Sequence, residues 1–159
     1  MSRPLPKILR HAFWVGLAVA TVAAAPANRP AEEDLAGLQG HWSMVSVERD
    51  GQSYPGGPGS TRVAQGDETT VTVGGQLFMK ARFTLDPAKK PKAIDYAVTA
   101  GPYSGQHQLG IYELQGDTVR FCFAVPGKDR PTEFSTQAGD GRTLSVWKRD
   151  SAEASSPKN

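Results

Sequence analysis

The side chains able to do chemistry are few and scattered. His107, Glu113, Asp86, Asp95 and Glu133 are the candidate acids and bases, and Cys122 is the one cysteine. Acid–base catalysis needs such groups within hydrogen-bond reach of a substrate. Nucleophilic catalysis needs a hydroxyl or thiol beside an oriented base. No local pattern supplies either: there is no Gly-x-Ser-x-Gly, no His-Glu-x-x-His and no phosphate-binding glycine loop. Asp50, Asp67, Asp86, Asp117, Asp129 and Asp140 stand at strand ends and in turns, where turn chemistry accounts for them. Glu113 is the exception, mid-strand and opposite Arg120 across a hairpin. It reads as a cross-strand ion pair or, failing that, as the first-choice catalytic carboxylate. His11 belongs to an N-terminal leader, so only His41 and His107 remain for a metal, too few for a three-histidine site. The expectation is a non-enzymatic protein with no metal and no cofactor.

Three further features carry a bland and a sharp reading. Cys122 sits mid-strand and reads as a packed thiol behaving as a small hydrophobe; a nucleophilic role would need an electropositive, accessible setting. Lys89, Lys90 and Lys92 share one loop shaped by Pro87 and Pro91. They are a solvated loop or a contact for an anionic polysaccharide or surface phosphate. Arg120 faces away from Val119, Phe121 and Phe123. It lies on the surface if that apolar face points inward, and inside, able to hold a carboxylate ligand, if it points outward.

The element that must position these residues is a hairpin, Leu109 to Ala124, turning at Gln115-Gly116-Asp117. Apolar residues alternate with period 2 along both arms. An isolated hairpin is marginal in water, so further strands must cover it. The chain offers them: Gly40 to Arg49, Arg62 to Gln65, Glu68 to Val73, Gln76 to Leu85, Ala93 to Thr99, Thr132 to Thr136 and Thr143 to Arg149. Asp50-Gly51 and Gly74-Gly75 are turn dipeptides, and Tyr54 to Gly59 reads as a loop. Connections of hairpin length favour an up-and-down meander. Closing it into a barrel of eight or nine strands removes exposed edges. The fold class expected is all-β, a single small antiparallel barrel.

Residues 1–27 have the form of a secretory signal peptide: Arg3, Lys7 and Arg10, then an apolar run from Ala12 to Ala25, with cleavage expected after Ala27. Residues 28–37 read as a polar linker in which Leu35 to Leu38 form one helical turn. The barrel domain spans 38–150, and 151–159 is a polar tail. The whole chain has net charge +2, with 18 basic and 16 acidic residues; without the leader's three, 15 basic remain and the balance is −1. A near-neutral exported domain has no electrostatic footprint for nucleic acid, and no membrane span remains after leader removal.

Two resemblances can be drawn. Gly40-x-Trp42 at the start of the first strand resembles the opening signature of lipocalin-like barrels. That likeness implies a Trp closing one barrel end with a basic residue of the last strand, Lys148 or Arg149, over its ring. A second set of motifs is Leu38-Gln39-Gly40-His41-Trp42, Phe83-Thr84-Leu85-Asp86-Pro87, Lys89-Lys90-Pro91-Lys92-Ala93-Ile94-Asp95, Gly110-Ile111-Tyr112-Glu113-Leu114 and Pro131-Thr132-Glu133-Phe134-Ser135. These resemble an uncharacterised exported domain family abundant in planctomycete bacteria. The likeness covers about residues 38–149 and implies a fold and an exported location, but no catalytic residues.

The functional expectation is an exported, monomeric binding module, periplasmic or extracellular, holding a small apolar or amphipathic ligand at the barrel mouth. The alternative is a structural or interaction module of the cell envelope with a filled barrel. Trp42, Tyr112, Arg120 and Phe123 are the candidate ligand contacts. The inward set inferred from alternation is Trp42, Met44, Phe83, Leu85, Ile111, Val119, Phe121, Phe123, Leu144 and Val146. It is bulky and implies a filled core or a very small site.

Overall fold

The computed structural model describes residues 29–151. The expected signal peptide and all but the first residue of the expected tail lie outside the described residues. One helix, α1 (Arg29–Leu38), precedes nine strands: β1 (Gly40–Arg49), β2 (Gln52–Pro55), β3 (Thr61–Gln65), β4 (Glu68–Val73), β5 (Gln76–Asp86), β6 (Lys92–Ala100), β7 (His107–Gln115), β8 (Thr118–Ala124) and β9 (Arg142–Arg149). Every pairing is antiparallel. Strands β3 to β9 follow one another in order, and β9 returns to β1, closing an eight-stranded barrel with β2 as an added strand. The expected up-and-down barrel is therefore the observed fold. Among the described residues no helix is long and apolar enough to cross a membrane.

The turns do what their residues allow. Asp50 and Gly51 both take positive φ, 52° and 74°, as do Gly74 and Gly75, 59° and 76°. Paired positive φ values match the twist of a tight hairpin.

Three expectations need correction. The 28–37 segment is not a linker with a single turn: from Arg29 it is helical through Leu38. Pro30 suits the first turn, acids follow near the positive N-terminal end, and Leu35 and Leu38 pack on the barrel end. Tyr54 and Pro55, read as the start of a loop, join Gln52 and Ser53 in β2, which pairs with the second half of β1. Strand β1 outruns β3, which reaches only Gly40 to Ser43, and β2 covers the edge left over. Thr132 to Thr136 is not a strand. Thr136 N and Oγ1 donate to the Glu48 carboxylate at 3.1 and 2.8 Å, so this backbone is pinned by a side chain rather than a ladder.

That segment belongs to a strap, residues 125–141, folded over the outside of the barrel. Arg130 donates to the carbonyls of Ile94 and Gly110 and pairs with Asp95. Gly139 N donates to Asp50 Oδ1. Under the strap Cys122 and Ile111 are buried on the outer face, and the thiol donates to the Ser135 carbonyl at 3.7 Å. Burial pushes the Cys122 thiol up to about 11. It is the packed thiol its position implied.

Candidate functional site

The barrel has two unlike ends. Helix α1 plugs the first, where β1 begins and β9 finishes. Trp42 is fully buried there, and its Nε1 donates to the Leu38 carbonyl at 3.0 Å. The Arg149 guanidinium lies 4.2 Å from the Trp42 ring centroid. The expected cation over the capping Trp is thus Arg149, not Lys148. Arg149 also donates to the carbonyls of Gln39 and Gly37, each at 2.6 Å, and pairs with Asp117 at 3.3 Å. It ties the helix's last turn to the strand that closes the barrel. Asp34 anchors the helix elsewhere, accepting from Lys92 Nζ at 2.7 Å and from the Tyr112 hydroxyl at 2.5 Å. Burial, with Asp34 beside it, holds the Tyr112 phenol well above its usual value.

The other end is open. A cavity of about 850 Å³ runs from the mouth to mid-barrel, within the range of small-molecule sites. Strand parity explains why it is hollow. Along β9 the inward residues are Thr143, Ser145 and Trp147, which face Phe123, Phe121 and Val119 of β8. The expectation that Leu144 and Val146 point inward is wrong by one residue, and so is Ile111, which lies under the strap while Gly110 faces in. A one-residue shift of parity moves a whole strand face. Here it exchanges Leu, Val and Ile for Thr, Ser and Gly. Gly110 is required by close approach: a Cβ there would stand 2.4 Å from the Phe123 ring. Phe123 then packs against Tyr96, ring centroids 4.1 Å apart. The expected filled core is replaced by a filled half, next to α1, and a hollow half.

The floor of the cavity holds a residue that the sequence reading placed on no site. Arg62, the second residue of β3 and 2 % exposed, lines the cavity beneath Phe121, its guanidinium carbon 4.1 Å from that ring centroid. Phe83 and Tyr96 lie 6.0 Å away. Among the described residues Arg62 Nε and Nη2 have no hydrogen-bond partner. Burial pulls the guanidinium below its usual value, and the Tyr96 phenol beside it opposes the shift. A guanidinium does not give up its proton in a protein, so a positive charge is held here without a carboxylate. No carboxylate lines the floor; the cavity's one acid is Asp50, at the mouth, where it accepts from Gly139. No signal in Thr61-Arg62-Val63-Ala64-Gln65 marks Arg62. Alternation favours Val63 inward, but cross-strand pairing of Arg62 with Trp42 puts Arg62 inside.

The mouth is apolar. Tyr54, Val73 and Phe78 line it yet are 49 %, 46 % and 39 % exposed. Arg49 and Arg142 stand at the same rim, Arg142 3.8 Å from Asp140.

Of the four candidate ligand contacts, only Phe123 lines the cavity. Trp42 and Tyr112 belong to the closed end. Arg120 is on the outer face, paired with Glu113 at 2.6 Å and stacked 4.1 Å from Phe134 of the strap. Glu113 is thus engaged far from the cavity, and His41 and His107 are exposed. Lys89 pairs with Asp86, and Lys92 with Asp34, so two of the three loop lysines have local partners. Among the described residues no group of three or more His, Cys, Asp or Glu side chains could hold a metal ion.

Fold and site together define a closed antiparallel β-barrel with one plugged end and one cavity-bearing end. No protein-family model, no curated protein and no solved structure matches this chain.

Proposed function

We propose that this protein is an exported, non-enzymatic barrel that binds one small amphipathic molecule in its open half. The observation that carries the reading is the cavity of about 850 Å³, walled by Met44, Met79, Tyr96, Phe121, Phe123 and Trp147 and rimmed by exposed apolar side chains. Sites for small ligands combine an apolar lining with a few placed polar groups, and Ser145, Gln108 and Arg62 are such groups here. A hollow half-barrel supports ligand binding over the filled structural module. Trp42 capped by Arg149 supports the lipocalin-like likeness, and the 1–27 leader pattern supports export. Engagement of Glu113 by Arg120 on the outer face supports a non-catalytic role.

Native mass spectrometry of the protein purified from its own host tests the reading. The expected result is one retained small molecule per chain, released by organic solvent, and saturable one-to-one binding of Nile red afterwards. Thr143→Trp, which fills the cavity near its mouth, is expected to abolish Nile red binding without loss of fold. A bare chain mass together with no Nile red binding would sink the proposal.

A further inference from the structure

From the buried, carboxylate-free guanidinium at the cavity floor we infer that the ligand is a monocarboxylate amphiphile, bound head-first with its carboxylate on Arg62. The inference rests on the binding reading above and says what the ligand must carry.

Three observations lead to it. First, Arg62 is a full positive charge, 2 % exposed, whose Nε and Nη2 donors have no partner among the described residues. Buried charges are ordinarily paired, because desolvation otherwise goes uncompensated. Second, the two unpartnered nitrogens form one edge of the guanidinium, the edge that meets a carboxylate through two parallel N–H···O bonds. Both nitrogens are buried, and the outer bonds of this long side chain must turn that edge toward the cavity when the anion binds. Third, the floor carries a cation and no acid, while the mouth combines the exposed apolar Tyr54, Val73 and Phe78 with Arg49, Asp50 and an Arg142 that Asp140 already pairs. An amphiphile entering head-first sets its anion on Arg62 and lays its chain along Phe123, Met79 and Met44 toward the rim. A single guanidinium balances a single negative charge, which favours a carboxylate over a phosphate dianion.

Arg62 is distinguishable from a packing residue. The face it offers to Phe121 is already used. What remains without a hydrogen-bond partner is its Nε–Nη2 edge, beside the Tyr96 phenol, and that edge tells an acid from an alcohol of the same chain length.

Calorimetric titration of the purified protein with dodecanoate, dodecanol and dodecyltrimethylammonium, each below its micellar concentration, tests the inference. Dodecanoate is expected to bind one-to-one and at least about tenfold more tightly than dodecanol, the yield of one charge-assisted contact. The cationic probe is expected to bind worst. In Arg62→Met, of similar length and without the charge, the dodecanoate preference is expected to vanish while dodecanol binding persists. Should that variant fail to fold, the ¹⁵N resonance of the wild-type Arg62 Nε decides: it is expected to shift with dodecanoate and not with dodecanol. Equal affinity for acid and alcohol in the wild type would overturn the role of Arg62 and leave the binding reading standing. A preference for acid that survives Arg62→Met would move the anion site to the rim and equally overturn it. No binding of any of the three would remove the binding reading, and this inference with it.

Discussion

The two ends of the barrel use the same device to opposite effect. At the plugged end Arg149 lies 4.2 Å from the Trp42 ring; at the cavity floor Arg62 lies 4.1 Å from the Phe121 ring. A cation over an aromatic face contributes about 0.5–2 kcal/mol, more where water is excluded. The difference lies in the remaining donors. Arg149 directs them to the carbonyls of Gly37, in the helix, and Gln39, just after it, and to Asp117. Arg62 keeps two without partners. One arginine completes the fold, and the other is a buried charge that the fold tolerates. Ring contact alone therefore does not tell the two arginines apart; what their remaining donors meet does.

The largest effect expected is at the plugged end. Trp42→Ala removes a fully buried ring and is expected to cost about 3–5 kcal/mol in chemical denaturation, through lost burial and a cavity. An unchanged midpoint would remove Trp42 from its capping role. Arg149→Met, which orphans the Gly37 and Gln39 carbonyls, is expected to cost about 2 kcal/mol. Arg62→Met is expected to have the opposite sign, raising stability by about 1–3 kcal/mol, since replacing a buried charge with an apolar side chain of similar volume is often stabilising. Equal losses in the two variants would erase the distinction between the ends.

Alkaline titration sharpens the same comparison. The Tyr112 phenol has its folded-state value raised above that of the unfolded chain, by burial and by Asp34. The unfolded chain therefore loses this proton first as pH rises. The stability contribution is fully present below about pH 10, the unfolded value, and is lost as pH rises toward the folded value. Tyr112→Phe is expected to make the alkaline decline shallower, read from denaturation midpoints between about pH 9 and 11. An unaltered slope would separate Tyr112 from the helix anchor.

The smallest effect is expected on the outer face, where Arg120 stacks on Phe134 and pairs with a part-exposed Glu113. Glu113→Gln is expected to cost at most about 1 kcal/mol, as exposed pairs do. If an activity screen found turnover that this variant abolished with the fold intact, the non-enzymatic reading would fail.

The barrel itself was legible in the sequence because its signals are local. Period-2 alternation, Gly-containing turns and hairpin-length connections each depend on residues within a few positions of one another. The Trp42 cap and a last-strand cation, Lys148 or Arg149, were implied by the resemblance of Gly40-x-Trp42 to lipocalin-like barrels, and the structure places Arg149 there. The pairing of Arg120 with Glu113 followed from alternation across one tight hairpin, but whether that face pointed in or out did not. Only the last turn of helix α1, Leu35 to Leu38, was legible, because Leu35 and Leu38 are its large apolar residues and ten residues are too short for a clear helical period.

What the sequence did not determine was which face of three strands points inward. In β9 the apolar set, Leu144 and Val146, faces out, because pairing with β8 opposes Thr143, Ser145 and Trp147 to Phe123, Phe121 and Val119. In β7 the strap buries Ile111 from outside, so burial there does not mean inside. In β3 the partner across the ladder, Trp42, draws Arg62 into the core. Each outcome is set by a residue 20 or more positions away, or by a strap that crosses the sheet's outer surface. Local pattern carries strand and turn; only closure of the barrel decides which side of each strand becomes the cavity wall, and with it that an arginine sits at the floor.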